Sequence, residues 1–156
     1  MGCKEMDAVT YPNPTVIKFI RENVIPVRVL WNQEPLASRF DIKWTPTLIL
    51  VDPHGKEVYR SEGFLSPRNF IPAFMLGIGR MRSNEGHYAE AISSFNELTS
   101  KYPQSEEAPQ AIYYRGIAQF KMTKDLKAMK KAYEQLAATY PNSSWTRKAR
   151  PYAALK

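Results

Sequence analysis

A spaced pattern of small and aromatic residues occurs twice in the second half of the chain, and it limits the fold more than any other feature of the sequence. Gly79, Ala91, Phe95, Leu98 and the pair Tyr102-Pro103 recur as Gly116, Ala128, Tyr133, Leu136 and Tyr140-Pro141. The offset is 37 residues for the first two positions and 38 for the rest, which implies one inserted residue in the second helix pair. Small residues at 79, 91, 116 and 128 let antiparallel helices approach closely, and the large residue after each alanine fills the space between neighbouring pairs. Gly86, Thr123-Lys124 and the two Tyr-Pro pairs interrupt the helical pattern at hairpin spacing, and Ser66-Pro67 supplies a cap and a first-turn proline. The pattern predicts helix hairpins over about residues 67–101 and 105–140, with residues 143–155 as a helix closing the end.

This succession resembles the tetratricopeptide repeat family, whose small, small, aromatic, proline order fits Gly79, Ala91, Phe95 and Pro103; the likeness covers residues 70–141, and the second copy is looser. The resemblance implies a module that takes a peptide or assembly partner on a concave helical face. Tyr113, Tyr114, Phe120 and Tyr133 could serve such a partner, yet at helical spacing they read first as inter-helix core. Lys121, Lys124, Lys127, Lys130 and Lys131 form a basic stripe that reads as a solvated helix face. No aromatic stacking pattern accompanies it, which argues against nucleic acid as a partner. The charge itself is uneven: residues 1–69 hold nine Lys and Arg against eight Asp and Glu, whereas residues 70–156 hold thirteen against seven.

The first part of the chain alternates helical and strand patterns. Residues 3–8 and 14–23 have helical spacing, the second opened by Pro14 and carrying Val16, Ile17, Phe19 and Ile20 on one face. The apolar run of residues 25–31 predicts a buried strand, residues 34–40 a short helix, and Thr47 to Val51 a second strand. Asp52-Pro53-His54-Gly55 turns that strand back into Lys56 to Arg60 as a hairpin.

Three marks here are similar to a bacterial-type thioredoxin-like domain of the branch that reads Cys-x-x-Cys-Lys-x-Met: Gly2-Cys3-Lys4-Glu5-Met6-Asp7 opening a helix, Trp44-Thr45-Pro46-Thr47 before a strand, and the Asp52-to-Gly55 hairpin. The likeness covers residues 1–75. It implies that Cys3 is a catalytic cysteine matching the resolving one of the pair, and that Pro46 is cis and faces it. The segment Trp44, Thr45 and Pro46 is expected, on the same resemblance, to bind an extended substrate. The chain departs from that branch in that its nucleophile would stand immediately before Met1, as cysteine or selenocysteine. The strand leading into the motif is also lacking, so the domain is expected to be N-terminally truncated and to have a gap, a distorted pairing or a donated strand between residues 26–31 and 47–51. Strand complementation would make an oligomer.

The expected fold class is therefore α/β plus all-α: a truncated thioredoxin-like domain at 1–75, then a helical repeat module at 67–156 that shares its first helix. The expected function is thiol:disulfide oxidoreductase acting on thiols or disulfides of a protein recruited by the repeats, crippled in this chain by the lost partner cysteine. The rival is a redox-silent adaptor. No cofactor is expected, and one cysteine with His54 and His87 is too few ligands for a zinc site. No run reaches the ~20 apolar residues of a spanning helix. Met6 replaces the Ser or Thr of a myristoylation signal, and no signal segment precedes Cys3. Those features favour the cytoplasm, with a periplasmic location left open by the expected truncation.

Overall fold

The computed structural model describes residues 1–155, and its elements run in the order α1 (Gly2–Glu5), a π-helical turn (Met6–Thr10), α2 (Pro14–Asn23), α3 (Leu36–Arg39), β1 (Thr47–Val51), β2 (Glu57–Glu62), α4 (Pro67–Asn84), α5 (Tyr88–Lys101), α6 (Glu107–Thr123), α7 (Lys127–Thr139), α8 (Ser144–Ala149) and a 3-10 turn (Arg150–Ala154). The chain divides into two units, Met1–Ile71 and Pro72–Lys156. The division falls inside α4 at Pro72, a buried residue with no N–H for the carbonyl four positions earlier.

In the first unit, α2 begins where the Asn13 side chain accepts the amides of Thr15 and Val16 at 3.0 and 3.3 Å, satisfying two otherwise orphaned donors. Its apolar face buries Val16 and sets Phe19 edge-on to Phe70 with ring centres 6.5 Å apart. β1 and β2 pair antiparallel, Thr47 opposite Glu62 and Ile49 opposite Arg60, with an irregularity between Leu50 and Val51. The turn between them is closed by Asp52, whose carboxylate accepts the amides of His54 and Lys56, both at 2.9 Å, and by Gly55 at φ +77°. Arg60 donates to Glu57 at 2.7 Å and to the Phe40 carbonyl, tying the hairpin to the segment before it. That guanidinium holds the Glu57 carboxyl below its ordinary range.

The expected strand at residues 25–31 does not form. Residues 24–30 have no ladder partner among the described residues, and Ile25, Val27, Leu30 and Trp31 are 92%, 78%, 72% and 66% exposed instead of buried. Alternating β-branched residues fit a pleated surface, but a strand exists only as one side of a hydrogen-bonded ladder, and β1 pairs with β2 alone. With no strand at 26–31, β1 has β2 alone beside it among the described residues, so the expected pair of strands on either side of a missing one is not there. Arg28 is the one residue of the run held by a charged partner, Asp7.

The second unit packs α5 against α6, α6 against α7, and α7 against α8 and the 3-10 turn. Its close approaches centre on two glycines: a β-carbon at Gly79 would stand 2.6 Å from the Phe95 ring, and one at Gly116 would stand 2.7 Å from the Ala132 β-carbon. Ile112, Tyr113, Met129, Ala132, Leu136 and Ala149 form the core of the distal end. The Tyr-Pro pairs act as fasteners, since the Tyr140 hydroxyl donates to the Pro103 carbonyl at 2.6 Å. Ser143 caps α8 by accepting the Trp145 amide, and the buried Thr146 hydroxyl donates to the Tyr140 carbonyl at 2.6 Å.

One pairing of the repeat is corrected. Ala128 is only half-buried, whereas Met129 is 2% exposed and takes the buried place of Ala91. Burial at Ala91, Ser94 and Leu98 returns at Met129, Ala132 and Leu136, so the extra residue lies ahead of the whole buried face of α7. The alanine at 128 drew the alignment one residue early, because Met129 does not have the small size that marks this position in the first copy.

Gly116→Leu is expected to cost about 1–3 kcal/mol, because the added side chain meets Ala132 in a closed interface. Ala128→Leu should cost distinctly less from its half-exposed position. Chemical denaturation of both variants checks this, and equal losses would overturn the pairing of Met129 with Ala91.

Candidate functional site

The thiol and the proline loop come together through a glycine. α1 places Cys3 in the exposed first turn of the chain, and Gly2 beside it lies so close to the Thr45-Pro46 turn that a β-carbon there would stand 2.7 Å from Pro46 Cδ. The Thr45–Pro46 peptide is cis, as expected; Glu34–Pro35 is cis as well, which the sequence did not signal. Pro46 is buried, while Thr45 is exposed and Trp44 is 70% exposed. The Pro46 carbonyl accepts the Gly63 amide at 2.8 Å, and the Thr47 hydroxyl donates to the Trp44 carbonyl at 2.6 Å. Both bonds fix the loop from its two ends and leave Thr45 outward. Of the expected site residues, Pro46 lies against Gly2, the neighbour of Cys3 in the chain, and Trp44 and Thr45 are the exposed residues that precede it.

The support below the thiol comes from Met6 and Thr10. Met6 is buried and its sulfur accepts the Leu65 amide at 3.4 Å, while the Thr10 hydroxyl donates to the Leu65 carbonyl at 2.5 Å. These contacts anchor the π-helical turn, so the short helix carrying Cys3 is not held by its own hydrogen bonds alone.

Sequence reasoning missed three residues near the thiol. Arg28 donates twice to the Asp7 carboxylate, at 3.1 and 2.9 Å, in a forked pair. Tyr11 lies within the field of both: burial first, and the Asp7 charge second, push its phenol above its ordinary value of 10.0, with Cys3 adding to the rise and Arg28 opposing it. Asp7 could have been noticed at helical spacing four residues after Cys3. Arg28 carried no signal, because it falls in the run that reads as a strand.

Among the described residues no group of three or more His, Cys, Asp or Glu side chains gathers where a metal ion could be held, and no helix is long and apolar enough to cross a membrane. What the arrangement offers chemically is one exposed free thiol, which suits exchange with a disulfide on another molecule.

A family model described as a thioredoxin-like domain matches residues 1–75, and the tetratricopeptide repeat model matches twice, at residues 73–105 and 110–143. The two families meet within α4. None of the curated proteins matches the chain.

Because Asp7 is one of the groups raising Tyr11, Asp7→Asn is expected to bring the phenol back toward 10.0. The difference between absorbance titrations of each protein and its Tyr11→Phe counterpart isolates this one phenol. An unchanged or higher midpoint would contradict the placing of the Asp7 charge beside Tyr11.

Proposed function

Starting from a chain that consists of a thioredoxin-like domain followed by tetratricopeptide repeats, we propose that it performs thiol:disulfide exchange on a protein partner that the repeats recruit. The observation that carries this reading is the seating of Gly2 on Pro46: the exposed Cys3 is the residue after Gly2, and the exposed Trp44 and Thr45 are the residues before Pro46. A partner segment lying along Thr45 would bring its disulfide to the Cys3 sulfur.

The chemistry uses one thiol. The Cys3 thiolate attacks a partner disulfide, the partner's S–S bond breaks, a bond forms between Cys3 and the attacked sulfur, and the other partner sulfur leaves as thiolate. No electrons are gained or lost overall. A second thiol of the glutathione class then attacks the mixed disulfide and returns Cys3 to its starting form. Cys3 is the one cysteine in this sequence, so for the chain of these 156 residues the resolving thiol is added in solution. That same fact supports the second reading, an adaptor in which the first unit is a scaffold and the repeats alone do the work.

The test is exchange with a peptide disulfide, followed by mass spectrometry. A mixed disulfide is expected on Cys3, absent from Cys3→Ser, formed at least about tenfold faster by the folded chain than by the chain in denaturant. Equal rates would favour the adaptor. Gly2→Val, which must displace Pro46, is expected to slow exchange with the peptide disulfide while leaving alkylation by a small reagent unchanged. Equal slowing of both reactions would remove the loop from the site.

A further inference from the structure

The second unit carries a strip of cations and aromatic rings across α4, α6 and α8. The Arg80 guanidinium lies over the Tyr114 ring, 4.9 Å from its centre. Tyr114 stacks on Phe95 beneath it and lies 5.6 Å, centre to centre, from Trp145. The Lys148 ammonium sits 4.7 Å above Trp145 and 5.2 Å above Tyr113. Arg80, Tyr114 and Trp145 are half-buried, and Lys148 is exposed. The order along the surface is cation, ring, ring, cation.

The charges around this strip are one-sided. From Pro72 onward α4 has no acidic residue, α8 has none, and Glu107 in the first turn of α6 is the single one on these three helices. The same helices hold Arg80, Arg82, Arg115, Lys121, Arg147 and Lys148. Arg82 is paired with Glu90 on α5, but among the described residues neither Arg80 nor Lys148 has a carboxylate partner. A guanidinium over a ring and a lysine over an indole use only part of their N–H donors there, which leaves the others for a carboxylate.

We propose that the strip formed by Arg80, Tyr114, Trp145 and Lys148 is a docking surface for an extended acidic peptide segment of a partner protein. This rests on the recruiting role proposed for the repeats and names the chemistry of what they recruit. Carboxylates of the segment meet Arg80 and Lys148, and its apolar side chains lie on the Tyr114 and Trp145 rings between them. The ring-to-ring contacts put the two cations no more than about 15 Å apart, which four or five residues of extended chain span at roughly 3.3 Å each. Neither the thiol nor the proline loop takes part, so this surface and the exchange chemistry can fail separately.

The experiment is fluorescence anisotropy with the full chain and three labelled probes: an octapeptide alternating glutamate and leucine, its glutamine counterpart, and a single-stranded RNA of the same charge. The glutamate peptide is expected to bind at least tenfold more tightly than the glutamine one, and to weaken as salt is raised. The double variant Arg80→Gln with Lys148→Gln should lose at least tenfold in affinity, whereas Lys124→Gln with Lys127→Gln should bind as the parent does; thermal melts confirm that each variant is folded. Equal binding of the glutamine peptide, abolished in the strip variant, would overturn the acidic chemistry while leaving a recruiting surface in place. Tighter binding of the RNA, an unaffected strip variant, or no binding of either peptide would overturn the proposal itself.

Discussion

The second unit depends on how closely two helix backbones can approach at Gly79 and Gly116. At both positions the space of a missing β-carbon is already taken, by the Phe95 ring in one hairpin and by Ala132 in the other. The distance between paired helices follows from this, and with it the burial of Leu98, Ile112 and Leu136, which are removed from water only if the helices close fully. The two hairpins solve the same problem differently. The first fills its interface with one large ring against a glycine, and the second uses an alanine with the flexible Met129 chain, so the repeat is kept in geometry more than in residue size.

The first unit is organised by fewer and more polar ties. Its sheet has two strands, a size that is marginal by itself in water, and its buried side chains are Met6, Thr10, Val16, Pro46, Leu50, Phe70 and Ile71. Against that small core, the bonds from Thr10 and Met6 to Leu65 and from Gly63 to Pro46 matter more than their number suggests. Those to Leu65 join the start of the chain to the segment after β2, across more than fifty residues, and so determine where Cys3 stands. The thiol is placed by its neighbours' contacts with distant backbone.

The helical repeat was legible because its signals are local or periodic: proline and glycine mark the ends, and small residues recur at nearly constant spacing. The hairpin was legible for the same reason, through Asp52 and Gly55. The Pro46 turn and its nearness to Cys3 came from resemblance, since no periodicity connects positions more than forty residues apart. Residues 25–31 show the opposite case. Their composition is that of a strand, yet strand formation is decided by a partner elsewhere in space, and composition holds no information about whether that partner is present. The forked pair of Asp7 with Arg28 was hidden for the same reason, because a residue assigned to a buried strand is not considered as a surface cation.

The uncovered run at residues 25–31 also bears on behaviour in solution. Exposed apolar side chains and backbone without a ladder partner favour contact between surfaces in general, while a net charge of +7 opposes the approach of like copies. The first force acts at contact and is little affected by ions, but the second reaches only as far as the electrostatic screening length, about 10 Å at 0.1 M salt. Raising the salt shortens the reach of that repulsion and leaves the exposed apolar area as it is, so the charge of +7 counts for less at each approach as ionic strength rises.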